Sequence, residues 1–200
     1  MIPPMTNKPL ITLLLAAACS TAGAGAPTAT APTATETPAA AGALRTIDRL
    51  DVPRYLGTWY EVARFPNRFQ RQCVADTSAN YTLREDGTLQ VRNRCRLADG
   101  TMDEALGQAR QVGGPESPTL KVRFAPEWLS WLPFVWGDYW IVDLDADYTL
   151  VAITDPRRAY AWVLSRTPQV EPARYEALMQ RLRAQGLDVG LFARSPQTAR

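Results

Sequence analysis

The chain has 200 residues and a formal net charge of +2, with both signs mixed along its length, which suits one domain plus an extension. It lacks the basic block that nucleic-acid binding demands, so no nucleic-acid partner is expected. It has no histidine and only three cysteines, which excludes Ser-His-Asp and Cys-His catalysis and removes the commonest zinc ligand, so neither a metal nor a cofactor is expected.

Residues 1–18 place one lysine, Lys8, before an apolar run that ends in small residues. The run is shorter than the roughly 20 apolar residues that span a bilayer, and it has the three-part form of a secretory signal peptide. With Cys19 it reads LAAAC, which resembles a bacterial lipoprotein signal. That resemblance implies a lipidated Cys19 carrying acyl chains such as palmitate. Because Ser20 follows, it also implies an outer-membrane lipoprotein of the bacterial envelope, facing the periplasm. Conventional cleavage after an Ala-x-Ala site is the alternative. After Cys19, residues 21–43 are Ala, Thr, Pro and Gly with a single acid and no aromatic. Such a segment cannot offset the entropy of ordering itself, so residues 19–43 are expected to be a lipid-bearing end and a flexible tether. The folded domain is expected over residues 44–200.

"GTWYEVARF", residues 57–65, opens a series of short alternating runs separated by turn residues. If Trp59 points inward, alternation carries Glu61, Ala63 and Phe65 to the same side. The run from Ala75 to Leu83 puts Ala75, Thr77, Ala79, Tyr81 and Leu83 on one face. "REDGT" (84–88) supplies an Asp-Gly hairpin turn. Next, Leu89, Val91, Asn93, Cys95 and Leu97 alternate with Gln90, Arg92, Arg94 and Arg96, the cleanest period-2 signal in the chain. After the turn "ADGT" (98–101), "EALGQARQV" reads as a weaker strand. "TLKVRFA" places Leu120, Val122 and Phe124 opposite Lys121 and Arg123. In "DYWIVDLD" both faces are apolar, so periodicity leaves open whether Tyr139 or Trp140 faces in. "YTLVAITD" and "AYAWVLSR" complete eight strands, the last with Tyr160, Trp162, Leu164 and Arg166 on one face. If Cys19 carries lipid, Cys73 and Cys95 remain as an even pair in an oxidising compartment. They flank a strand–turn–strand, and a disulfide there would contribute about 3 kcal/mol; two buried free thiols are the alternative.

The period then changes. Pro172 lies near the start and Gly186 at the end of a run in which Tyr175, Leu178, Met179 and Leu182 fall at i, i+3, i+4 and i+7. This predicts one amphipathic helix packed outside the sheet, followed by a strand-like "VGLFAR". One further stretch stands apart. "PEWLSWLPFVWGDYW" (126–140) holds four of the six tryptophans, and Pro133 and Gly137 make part of it a loop. It is expected to plug the barrel, gate a ligand, face a membrane or mediate a homodimer.

Three of these runs together resemble the lipocalins. "GTWYEVARFP" looks like the first lipocalin motif in the form usual in bacterial outer-membrane lipocalins and apolipoprotein D. "TDP" (154–156) looks like the second, and "LSRTP" (164–168) like the third. The resemblance covers roughly residues 50–196. It implies an all-β fold: an eight-stranded antiparallel up-and-down barrel with one C-terminal amphipathic α-helix outside. It further implies that Trp59 plugs the closed end, that Arg166 lies across its ring, and that Gly57 turns the chain into the first strand. The ligand implied is a small amphiphile such as a fatty acid or lysophospholipid. Inward faces then propose Glu61, Tyr81, Val91, Asn93, Phe124, Tyr139 and Trp162 as its lining. The leading reading is a lipid-anchored, non-enzymatic carrier. The others are an enzyme using Glu61 as general acid or base on a bound lipid, and a structural lipoprotein with a filled barrel.

Overall fold

The computed structural model describes residues 42–198. The signal segment, Cys19 and nearly all of the expected tether lie outside the described residues. From Gly42, whose N–H bonds Ala184 O (3.1 Å), the chain passes to Leu50, whose N–H bonds Glu116 O (2.7 Å). It then forms the single turn α1, Val52–Tyr55, capped by the Asp51 side chain. Eight strands follow: β1 Gly57–Arg64, β2 Ala75–Leu83, β3 Leu89–Arg96, β4 Met102–Gln111, β5 Thr119–Arg123, β6 Gly137–Leu144, β7 Leu150–Thr154 and β8 Ala161–Ser165. Each pairs antiparallel with the next, and β1 pairs with both β2 and β8. The sheet thus closes on itself, an up-and-down barrel without long open edges. Helix α2, Pro172–Ala184, and a two-residue strand β9, Ala193–Arg194, complete the domain.

The turns form as their residues require. Gly87 and Gly100 adopt positive φ. Asp86 and Asp99, one position earlier, accept bonds from the N–H and hydroxyl of Thr88 and Thr101, the Asx arrangement that pre-forms a hairpin. Strand β4, expected to be weak, is the longest at 10 residues. Its inner face carries Ala105, Gly107 and Ala109. A Cβ at Gly107 would come within 2.7 Å of Arg123 O and of the Phe124 ring, so glycine lets two strands and an aromatic ring meet there.

Two apolar clusters divide the buried residues. Trp59, Tyr81, Leu89, Val91, Leu120, Ile141, Val151, Ile153 and Leu164 pack inside the barrel with Tyr55 and Leu50. Val62, Ala63, Phe65, Val142, Ala152 and Val163 pack on the outside, beneath Leu178, Met179 and Leu182 of α2. Strands β6, β7 and β8 are therefore apolar on both faces, as strands buried on both sides must be. This explains why the period was ambiguous there: Tyr139 packs on the inner cluster and Trp140 on the outer. Arg181 of α2 grips Asp143 of β6 through Nε and Nη2 (2.7 and 2.9 Å).

Two expectations are corrected. Ala63 and Phe65 do not share the side of Trp59. The β1–β8 register shifts between Glu61 and Ala63, and this bulge moves every later side chain to the other face. Ala63 and Phe65 join the outer cluster, while Arg64, opposite Trp162, turns in. "VGLFAR" is not one strand, because Val189–Leu191 forms a 3-10 turn capped by Asp188 and only Ala193–Arg194 pairs with β1. The β1–β2 ladder ends at Tyr60–Ser78. Beyond it the C-terminal segment fills the seam: Ser195 N bonds Val62 O, Asp76 N bonds Pro196 O, and Gln197 Nε2 spans Glu61 O and Thr77 O.

Candidate ligand-binding cup

The barrel is shut at one end by an aromatic plug. Trp59 is fully buried. Its ring lies 5.0 Å from that of Tyr55, and its Nε1–H donates to Tyr55 O (2.9 Å). The Arg166 guanidinium lies 3.9 Å from the Trp59 ring centroid, a cation–π contact. It also donates to Thr58 O, Arg54 O and Tyr148 O, so the planar fork ties α1, β1 and the β6–β7 turn together. Gly57 has φ +89°, and a Cβ there would stand 3.5 Å from Arg166 Nη1. The arrangement implied for Gly57, Trp59 and Arg166 is present. It is scaffold, and it defines which end is the floor.

Above the plug, three phenols converge. The Tyr139 hydroxyl stands between those of Tyr55 (2.7 Å) and Tyr81 (2.9 Å). Two hydrogen bonds use two of the three hydroxyl protons, leaving one donor for a ligand acceptor. Burial pushes Tyr81 up to about 12, against the easing effects of its bond to Tyr139 and the charge of Arg166. Burial raises Tyr55 and Tyr139 well above the ordinary tyrosine value. The unfolded chain ionises these groups near pH 10, so their contribution to stability is whole below that pH and is lost as pH rises toward 12. We expect three of the seven tyrosines to resist ionisation until the barrel opens. Phenolate absorbance and near-UV circular dichroism, followed together through alkaline titration, should change in one step for these three. Ionisation of all seven with the fold intact contradicts this.

Toward the other end the inner wall opens. Asn93, Val122, Tyr139 and Trp162 are partly exposed, and Ala105 and Phe124 are exposed, so solvent reaches the inner faces of β3, β4, β5, β6 and β8. Pairing Asn93 with Ala105, and Val91 with Gly107, keeps these on the inward face. Asn93 Oδ1 is buried without a partner, an acceptor waiting for a donor. Tyr81 and Val91 are buried in the inner cluster and form the floor; Asn93, Phe124, Tyr139 and Trp162 stand above it.

Glu61 is buried, 2% exposed, and fully engaged. Oε1 accepts from Arg64 and from the Ser195 hydroxyl (2.6 Å), and Oε2 from Gln70 Nε2 (2.7 Å). Gln70 Oε1 in turn accepts from Trp162 Nε1 (2.9 Å). Gln70 belongs to the β1–β2 loop, residues 65–74, which thereby folds across the mouth. The Cys73–Cys95 disulfide (Cα–Cα 5.5 Å) fixes the same loop to β3 on the other side. The expected pairing of these cysteines is present. Sequence reasoning did not single out Tyr55, Arg64, Gln70 or Ser195. Tyr55 lies four residues before Trp59 and had that proximity as a signal; the other three had none, because a bulge, a loop latch and a chain terminus place them.

A closed eight-stranded cup, plugged by an arginine-capped tryptophan and flanked by one helix, is the architecture of a lipocalin. A model of the lipocalin-like domain family matches residues 50–197, and the chain belongs to that family. It is 39% identical over 158 residues to temperature-induced lipocalin-1 of Arabidopsis thaliana, covering 78% of this chain and 83% of that one. It is 35% identical over 157 residues to outer membrane lipoprotein Blc of Escherichia coli (strain K12), covering 78% and 84%. The crystal structure of the cockroach major allergen Per a 4 superposes with a TM-score of 0.57 at 22% identity, over 78% of this chain and 93% of that one, a likeness of fold. Membership implies a small hydrophobic ligand.

Proposed function

We propose that the chain is a non-enzymatic carrier that binds, stores or transports a small amphiphile, such as a fatty acid or lysophospholipid, while held to the bacterial outer membrane by lipid on Cys19. The cup carries the reading: an aromatic, mostly apolar wall with one unpaired amide oxygen and one spare phenol donor is the usual lining of a small-molecule site. Glu61, Tyr81, Val91, Asn93, Phe124, Tyr139 and Trp162 are its proposed lining. The similarity to a protein named as an outer membrane lipoprotein and the LAAAC signal support the anchor. Glu61 speaks against the enzymatic alternative, since both carboxylate oxygens are occupied by Arg64, Ser195 and Gln70 and neither is free to serve a substrate as general base.

The test is titration of the chain carrying Cys19→Ser, which takes no lipid, with a fluorescent fatty acid. Saturable binding excited through tryptophan is expected, and Trp162→Ala should weaken it about tenfold, the loss of one central aromatic contact. A folded chain that takes up no probe has a filled barrel, and the structural-lipoprotein reading replaces this one.

A further inference from the structure

We propose that the outer wall of the barrel carries a second binding site, a groove over β3, β4 and β5 in which Arg123 takes the oxyanion of a small molecule, a carboxylate or a phosphate. Three charged residues are buried among the described ones: Glu61, Asp155 and Arg123. Glu61 has Arg64 beside it, and Asp155 has Arg157 at 3.6 Å. Arg123, only 4% exposed, forms no ion pair with any carboxylate among the described residues. A guanidinium keeps its charge in any protein, and taking a charge out of water without a counter-charge is costly. Of the three buried charges, this one alone lacks its opposite.

Strand register builds the site. Leu120 and Val122 turn into the barrel, so Arg123 falls on the outer face. It stands opposite Gln108 of β4, which stands opposite Gln90 of β3. Arg123 Nη2–H donates to Gln108 Oε1 and Nη1–H to Ala125 O, both at 2.7 Å. Gln108 is itself fixed, since its Nε2–H donates to Thr88 Oγ1 (3.0 Å). The Trp136 ring lies 5.2 Å from the Arg123 guanidinium and 4.5 Å from that of Arg110, so one indole serves two cations. These contacts hold the planar fork against the wall and use two of its five N–H donors. The Nε of Arg123 is buried without a partner.

Arg123 borders a groove of about 300 Å³, lined also by Arg84, Gln90, Leu106, Gln108 and Glu127. That volume is at the small end of the range for small-molecule sites. Arg84 adds a second guanidinium and Gln90 an amide, while Leu106, 52% exposed, offers an apolar edge to the rest of a ligand. Two acids stand near, Glu127 on the groove wall and Asp86 at 3.6 Å from Arg84, and neither pairs with Arg123. A cationic ligand would meet like charge here, and a neutral one would leave the charge of Arg123 uncompensated. An oxyanion answers both, because two oxygens match the donors of a guanidinium fork.

The experiment uses the full chain carrying Cys19→Ser, labelled with nitrogen-15, so that the Nε–Hε resonance of Arg123 reports directly. Arg123→Met identifies that resonance by its loss, and through-bond correlation to the residue 123 amide does so if the variant fails to fold. Sodium phosphate and sodium butyrate are titrated separately, with ionic strength held constant by sodium chloride. Saturable movement of the resonance with at least one of them, and none with chloride, is expected. Phosphate alone assigns a phosphate-bearing ligand, butyrate alone a carboxylate, and both an oxyanion of either kind. Arg84→Gln should weaken the binding about tenfold, the loss of one charge-assisted hydrogen bond. A fluorescent fatty acid in the cup should stay bound at saturating anion. No movement, movement that chloride reproduces, or unchanged affinity in Arg84→Gln overturns the proposal. So does displacement of the fatty acid, which would put the anion inside the cup. Binding that appears only in Glu127→Gln also overturns it, because Glu127 would then be the counter-charge of Arg123.

Discussion

Trp59→Ala should cost about 3–5 kcal/mol, the usual range for deleting a buried tryptophan, and lower the midpoint of thermal unfolding by about 6–20 °C for a domain of this size. Three losses combine. The indole fills the closed end with no exposed surface, and nothing beneath it can collapse inward, because α1 is a single turn held by Arg166. Its Nε1–H satisfies Tyr55 O, which is left without a partner. The Arg166 guanidinium loses the ring on which it lies while remaining bonded to three backbone carbonyls. Trp59→Phe separates the effects. It keeps a ring under Arg166 and most of the filled volume, and gives up the hydrogen bond, so about 1–2 kcal/mol is expected. Urea denaturation of the two variants provides the comparison. If Trp59→Ala loses less than 1 kcal/mol, the plug is not what holds the floor together.

That prediction draws on residues whose roles are legible through the resemblance to the lipocalin motifs: "GTWYEVARFP" and "LSRTP" imply that Gly57, Trp59 and Arg166 meet at one pole, which residue type and spacing alone do not say. The two Asp-Gly turns are legible from residue type: Gly supplies the positive φ and Asp the side-chain acceptor. Trp162, four residues before Arg166, is expected on the same face; it packs on the inner cluster because period-2 alternation runs unbroken through β8. Helix α2 was legible from its apolar spacing, with Pro172 and Gly186 marking its ends.

The rest depended on events with no local signature. The bulge beside Val62 reverses the facing of Ala63, Arg64 and Phe65, and nothing in "YEVARF" announces an extra residue. It follows from how β1 is shared among β2, β8 and β9. Tyr139 and Trp140 could not be told apart because α2 covers one face of β6, so both neighbours are apolar. Strand β4 read as weak because alanine and glycine line its inner face. Small side chains are required where Phe124 leans over Gly107, but they dilute an alternating pattern. The latch formed by Gln70 and the seam filled by Ser195 and Gln197 join residues more than 90 positions apart, or at the chain's end, through ordinary polar groups. The exposed rings of Trp128, Trp131 and Phe134 were legible as composition in residues 126–140. Which of its four tryptophans face solvent is not legible there, since that is decided by the contacts of Trp136 with Ser130 O, Arg110 and Arg123 and by the packing of Trp140 on the outer cluster.

Glu61→Ala is expected to cost about 3–5 kcal/mol, the penalty for breaking a buried ion pair from one side. The side chains of Glu61 and Arg64 are 3% and 18% exposed, so the guanidinium left behind is nearly as poorly hydrated as before and retains only Ser195 Oγ at 3.2 Å. Gln70 loses the acceptor that Glu61 supplied, and Trp162 Nε1 then donates to a Gln70 that Glu61 no longer holds in place. The second consequence is therefore local. Amide exchange in residues 65–74 should rise beyond what the global loss explains, because the loop then keeps the disulfide to β3 as its main tie across the mouth. The double variant Glu61→Leu, Arg64→Met should regain most of the stability, since two matched apolar side chains remove both the charge and the need for its partner. It should not regain the protection of the loop, which depends on the carboxylate and not on filling space. Recovery of both in the double variant would mean that packing, and not the hydrogen bonds of Glu61, closes the loop over the cup. In that case Trp162 is positioned by its stack on Tyr160, and the cup is gated by apolar contact alone.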